Sequence, residues 1–164
     1  MVAPRALYAL YYSCRQRTAT TTRYRLEPAM ISYRFQDMNR DLDRLLDPQQ
    51  QYSYPWDLSL EDTDAVRHGI SACASLSDLA AYVATTALQA QVPGVCILEG
   101  PESEDEPLDG DTGEILVLPT SAHWLDAELE EKFFRAVDAL FDLYWLEGWT
   151  WDQLREWARK LLPC

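Results

Sequence analysis

Cations are scarce in the middle of this 164-residue chain. Between Arg67 and Lys132 lie 64 consecutive residues without a lysine or arginine, and they carry thirteen aspartates and glutamates. Such a field repels nucleic-acid phosphates and anionic membrane surfaces, so direct DNA or RNA binding is disfavoured. No apolar run approaches the roughly 20 residues a membrane-spanning helix needs. The four cysteines (Cys14, Cys73, Cys96, Cys164) form no Cys-x-x-Cys pair, and His68 and His123 are the only histidines. Tetrahedral zinc needs clustered ligands, so no metal site is expected. The thiols read as reduced and mostly buried, in a cytoplasmic setting. Also missing are a Gly-x-Ser-x-Gly elbow and a glycine-rich phosphate loop. Cys73 and His68, five residues apart across a helix-to-strand junction, offer little geometric reason for a nucleophile–base pair.

What is present is a chain of about one domain, 48% hydrophobic and 12% aromatic, sufficient for a real core. Its net charge of -13 is uneven. Residues 1–29 carry +4 and the rest -17. We divide the chain into a basic N-terminal segment, 1–29, strand-forming or processed, and a single acidic α+β domain, 30–164. The N-terminal segment is compatible with a lipoprotein-like signal before Cys14, an Arg- and Thr-rich transit peptide, or a start site at Met30.

Polar–apolar alternation predicts a hairpin of Thr21–Leu26 and Met30–Phe35. Met38, Leu42, Leu45 and Leu46 have helical spacing up to Pro48, and a short helix is expected over Glu61–His68. Ser75 with Asp78 three residues on marks a helix start, with Leu79, Tyr82, Val83 and Leu88 facing inward. The apolar segments Val95–Glu99 and Glu114–Leu118 are expected as neighbours in a central sheet. A long aromatic helix follows over Ala127–Glu147, closed by Gly148. Thr150 then caps a second helix with Gln153 in a capping box. The expected fold is α+β: a small, mostly antiparallel sheet with packed helices and a C-terminal α-helical hairpin. Phe133, Phe141, Trp145 and Trp157 are expected to be largely buried in it. The stretch "LEGWTWDQLREWARKLL" resembles the opening of a helix-turn-helix unit, but the chain ends where a recognition helix would follow.

Seven carboxylates fall between Glu102 and Glu114. "DGDTGE", Asp109 to Glu114, has the acids and glycines of a calcium loop but not their order, because Gly113 stands where a ligand belongs. An Asp-Gly turn is the simpler reading. Together with Glu99, Asp126, Glu128, Glu130 and Glu131, this run could imitate a phosphate backbone. The favoured expectation is therefore a non-enzymatic binding or regulatory protein, inhibitory in the manner of a nucleic-acid mimic. It would engage a basic, nucleic-acid-binding partner through Glu102, Glu104, Asp105, Glu106, Asp109 and Asp111. Trp124, with Tyr54 and Trp56, would supply specificity. No cofactor is called for.

The alternative is an enzyme. "SYRFQ" places Arg34 on a strand, "GISACASLSDLAAYVA" carries Ser71 and Ser75 from a strand into a helix, and "GEILVLP" opens a strand with Glu114. That order is similar to the small core of ADP-ribosyltransferases, which take an arginine, a serine motif and a glutamate from three successive strands. The resemblance implies that Arg34 grips a phosphate or ribose of NAD and that Ser71 steadies the pocket. It implies further that Glu114 holds a ribose hydroxyl and stabilises an oxocarbenium-like transition state. Thr112 stands where many of these enzymes carry a second acid.

Overall fold

Eight residues of unbroken pairing anchor the architecture. β1 (Met30–Asp37) runs antiparallel to β5 (Pro93–Gly100), from Met30 opposite Gly100 to Asp37 opposite Pro93. The computed structural model describes residues 29–53, 66–86, 88–107 and 110–162. The expected strand Thr21–Leu26, Tyr54, Trp56, Asp109, Cys14 and Cys164 lie outside these residues, as does most of the expected helix Glu61–His68.

Among the described residues five strands form one antiparallel sheet. β4 (Ile70–Cys73) lies on the free side of β1, and β6 (Glu114–Val117) pairs with β4, from Cys73 opposite Glu114 to Ile70 opposite Val117. On the far side of β5 lies β7 (Ser121–Trp124), giving the order β6-β4-β1-β5-β7. The two apolar segments expected as neighbours are therefore separated by β4 and β1. Their patterns signal burial, which is a property of a strand's faces and carries no information about its partner. The chain leaving β5 instead lays Pro101–Ser103 along the outer edge of β6, where Ser103 N–H donates to the Leu116 carbonyl (2.8 Å) and Leu118 N–H to that of Pro101 (2.9 Å). An edge with unpaired donors and acceptors is thereby partly covered. At Gly100 a Cβ would come within 2.2 Å of the Leu118 carbonyl oxygen, so this crossing requires glycine.

A two-stranded ribbon, β2 (Tyr52–Ser53) and β3 (Arg67–His68), flanks the sheet, so the tail of the expected helix over Glu61–His68 is strand. The helix expected from Met38 shortens to α1 (Asp43–Leu46). Here the carboxylates of Asp37, Asp41 and Asp47 accept the backbone N–H groups of Asn39, Asp43 and Gln49. These local bonds offer the backbone an alternative to helix.

α2 (Leu76–Thr86) is buried on every side from Leu76 to Ala84. It lies between the sheet and the C-terminal pair, and Ala80, Ala81 and Ala84 permit close approach. Ser75 Oγ accepts the Asp78 N–H, as the sequence indicates. α3 (Ala127–Trp145) is capped by Asp126, and α4 (Trp151–Leu161) by the full Thr150–Gln153 capping box, with Gly148 at φ +71° between them.

The helical hairpin joins the main core through a narrower face than expected. Phe133, Ala136 and Leu140 of α3 and Leu154 and Ala158 of α4 are buried, whereas Phe141, Trp145 and Trp157 are 41, 54 and 39% exposed. The aromatic stripe is wider than the surface α2 offers: the line through Phe133 is fully enclosed, while Trp145, half out of the core, donates its indole N–H to the Ala84 carbonyl of α2 (3.1 Å). A second core, with Leu45, Ile70, Ala72, Cys96, Leu98 and Val117, fills the opposite face of the sheet. Among the described residues no helix is long and apolar enough to cross a membrane.

Candidate functional site

β1 and β4 are in register at Tyr33 and Cys73 only. Beyond that pair the strands part, and the notch between them opens into a cleft of about 500 Å³. Its walls come from β1 and the turn after it on one side and from β4 and β6 on the other. The ribbon β2–β3 and the α2 side chains Leu79 and Tyr82 close it further. The volume falls within the usual range for small-molecule sites.

Arg34 spans the notch. Its Nη1 donates to the Ser71 carbonyl, and its Nε to Gln36 Oε1 at 3.3 Å. Burial lowers its pKa from the ordinary arginine value, and Arg40 works in the same direction, while Cys96, Tyr82 and Glu114 work against it. A guanidinium nevertheless stays charged in a protein. Arg40 follows β1 in a turn closed by its N–H on the Asp37 carbonyl, and Arg67 reaches the cleft from β3. The chain has four cations between residues 30 and 131, and three of them line this cleft. Among the described residues neither Arg34 nor Arg40 forms an ion pair with a carboxylate. With the carboxylates of Asp37 and Glu114 on the same lining, the cleft sets three cations against two anions, in a protein of net charge -13.

Ser71 lines the cleft from β4. Its N–H donates to Ser53 Oγ (3.0 Å), whose hydroxyl donates to the Gly69 carbonyl (2.8 Å), so the ribbon fixes the strand that holds Arg34. Glu114 opens β6, half-buried, after a single 3-10 turn at Gly110–Thr112 closed by Gly113 N–H on the Gly110 carbonyl (3.1 Å). Gly113 has φ +76°, a left-handed conformation that glycine adopts freely. Across the ladder from Glu114 is the buried Cys73. Burial pushes its thiol well above the ordinary range, and the Asp78 and Glu114 carboxylates push it further. The Cys96 thiol is raised by burial to about 11. Both are free, protonated side chains near neutral pH. Arg34, Ser71 and Glu114 are thus brought together, on adjacent strands in the order β1, β4, β6.

The acidic run is placed differently. Glu102, Glu104, Asp105, Glu106 and Asp111 are exposed. Asp105 accepts the His68 N–H at 2.7 Å, and Ser103 Oγ donates to the His68 carbonyl, which pins the loop to β3. The other acids are engaged elsewhere. Glu99 receives the Ser121 hydroxyl, Asp126 caps α3, Glu130 accepts the Val95 N–H, and Glu128 and Glu131 pair with Lys132 and Arg135. Trp124 is half-buried against the second core, beside Gly94 and opposite Cys96. Among the described residues no group of three or more His, Cys, Asp or Glu is placed to hold a metal ion.

Sequence reasoning did not single out Arg40, Arg67 or Gln36. The available signal was scarcity: with so few cations in the central part of the chain, each one was a candidate. Comparison with protein-family models, curated proteins and solved structures finds no match to this chain.

Proposed function

We propose that the cleft binds NAD and that the protein transfers ADP-ribose from it. The reading is carried by one observation: Arg34, Ser71 and Glu114 line a single cleft from three adjacent strands. The arginines there support it further, because guanidinium forks match diphosphate oxygens. In the reaction the bond between ribose C1′ and the nicotinamide nitrogen breaks, and nicotinamide leaves with the bonding pair. An oxygen or nitrogen nucleophile, water included, bonds to C1′ and gives up a proton. Arg34 and Arg40 would hold the diphosphate. The Glu114 carboxylate would accept the ribose 2′-hydroxyl hydrogen and face the positive charge that develops on the ring.

The test is nicotinamide release together with NAD binding by calorimetry, for the wild type and for Glu114→Gln. Binding should survive the substitution within a few-fold, while turnover falls about 100-fold or more, the scale of losing one electrostatic stabiliser. A wild-type protein that neither binds nor cleaves NAD overturns the reading.

A second reading, docking of a basic partner, is favoured by the exposure of Glu102, Glu104, Glu106 and Asp111 on one loop. Like charges concentrated there gain nothing from folding alone.

A further inference from the structure

α4 supplies no side chain to the cleft wall, yet it reaches the acid indirectly. From the inward side of α4 the half-buried Arg155 reaches Asp78 in the first turn of α2, with Nη2 at 3.2 Å from Oδ2 and Nε bonded to Oδ1. Asp78 is 5% exposed, so this carboxylate is paired out of water. A buried charge left without its partner is costly and acts strongly on its surroundings. Against this pair rests Gly113, the residue before Glu114. A Cβ built there would lie 3.4 Å from Asp78 Cβ, 3.6 Å from its Cγ and 3.8 Å from Trp151 Cζ2. The Trp151 indole N–H is buried with no hydrogen-bond partner among the described residues, so shape holds this side chain there.

We propose that Arg155 and Asp78, with Trp151 behind them, are positioning residues for Glu114: α4 is a buttress that fixes the turn from which the acid projects and screens it from the Asp78 charge. The catalytic meaning rests on the transferase reading, whereas the positioning itself does not. Proximity follows from Gly113 against Asp78 and from Cys73 opposite Glu114 in the ladder; the Asp78 and Glu114 carboxylates raise the pKa of that buried thiol, and Arg155 and Arg34 lower it. Among the described residues the ionisable groups around Glu114 include Arg34 from β1, Arg67 from β3, Cys73 from β4, Asp78 and Tyr82 from α2, Arg155 from α4, and the exposed Asp111 in the preceding turn.

Removing either member of the pair alone leaves the other charge uncompensated, with opposite consequences. Arg155→Gln leaves an anion near Glu114 and should raise its pKa. Asp78→Asn leaves a cation and should lower it. General loss of structure does not produce shifts of opposite sign. The experiment uses the full chain and follows Glu114 by carboxyl-carbon NMR, assigned through Glu114→Gln, with nicotinamide release measured alongside. The Glu114 carboxyl resonance should be displaced in opposite directions in the two single variants, as neighbouring charges of opposite sign require. The doubly neutral Asp78→Asn/Arg155→Gln protein and Arg155→Lys should return toward the wild-type titration. Turnover in Arg155→Gln should fall about tenfold through kcat with KM unchanged, since the acid rather than the binding surface is displaced. If one single variant does not fold, the sign of the other decides. A folded variant whose Glu114 titration is unmoved overturns the proposal. Shifted titrations in a protein whose wild type does not cleave NAD leave the positioning standing and remove the transferase reading.

Discussion

The guanidinium of Arg34 is held by the backbone carbonyl of Ser71, across the notch where β1 and β4 separate. A carbonyl orients the cation without neutralising it, so the charge remains available to a ligand. On the transferase reading proposed above, Arg34→Lys should keep the fold but weaken NAD and ADP binding by about tenfold or more, because a lysine ammonium cannot serve Ser71, Gln36 and a phosphate with one planar fork. Titration calorimetry on both ligands checks this, and unchanged affinity removes Arg34 from the site.

Two phenylalanines eight residues apart on α3 should behave oppositely. Phe133 is fully buried and stacks edge-on to Phe134 at 5.3 Å, whereas Phe141 is 41% exposed. Phe133→Ala should cost about 3–5 kcal/mol in denaturant unfolding. Phe141→Ala should cost roughly 1 kcal/mol, nearer the cost of a surface change. Equal losses would place Phe141 in the core the sequence suggested.

Asp37 makes a different kind of prediction. Its carboxylate accepts the N–H groups of Asn39 (3.0 Å) and Gln91 (3.1 Å), and the first of these does most to hold its pKa below the ordinary value. A group whose pKa is depressed by folding contributes stability above its unfolded value, about 3.9, and loses it as pH falls through the folded value. Melting of the wild type and Asp37→Asn should thus differ at pH 7 and draw together as pH falls below the unfolded value and through the lower folded one. A gap that persists there would assign the effect to packing.

Much of this architecture was legible in local signals. The capping box at Thr150–Gln153, the cap at Ser75 and the strand carrying Arg34 depend on neighbours in sequence, and each appears where the residues indicate. Partnership between strands was not legible. Glu114–Val117 and Pro93–Gly100 are each apolar enough to be buried, but nothing in either specifies that Ile70–Cys73 and Met30–Asp37 stand between them. The stripe of α3 misled for a related reason. Periodicity marks a face, while the width of that face is set by α2, whose alanines are small and whose surface is correspondingly narrow. For the site, residue types along the chain suggested Arg34, Ser71 and Glu114. Arg40 and Arg67 have no motif and become neighbours only through the turn after β1 and the β2–β3 ribbon.

The acidic loop can be tested without disturbing its attachment. Asp105 accepts the His68 N–H and should be left intact, while Glu102, Glu104 and Glu106 project to solvent. Replacing these three by glutamine should leave the melting temperature unchanged or slightly raised. It should slow association with poly-lysine and flatten its salt dependence. Identical association rates at about 0.1 M salt would leave the loop no part in capturing basic partners.

The strand order has a consequence for synthesis. Arg34 leaves the ribosome long before Glu114, and the strand that joins them, β4, finds β1 already made but must wait for β6. Loop-closure entropy has to be met before these distant pairings give anything back, which places such topologies among the slower folders. A nascent chain that ends before β6 would present the cations of the cleft without its acid. The cleft is therefore walled on its far side only when β6 pairs with β4, and Arg34 and Glu114 first share it at that late pairing.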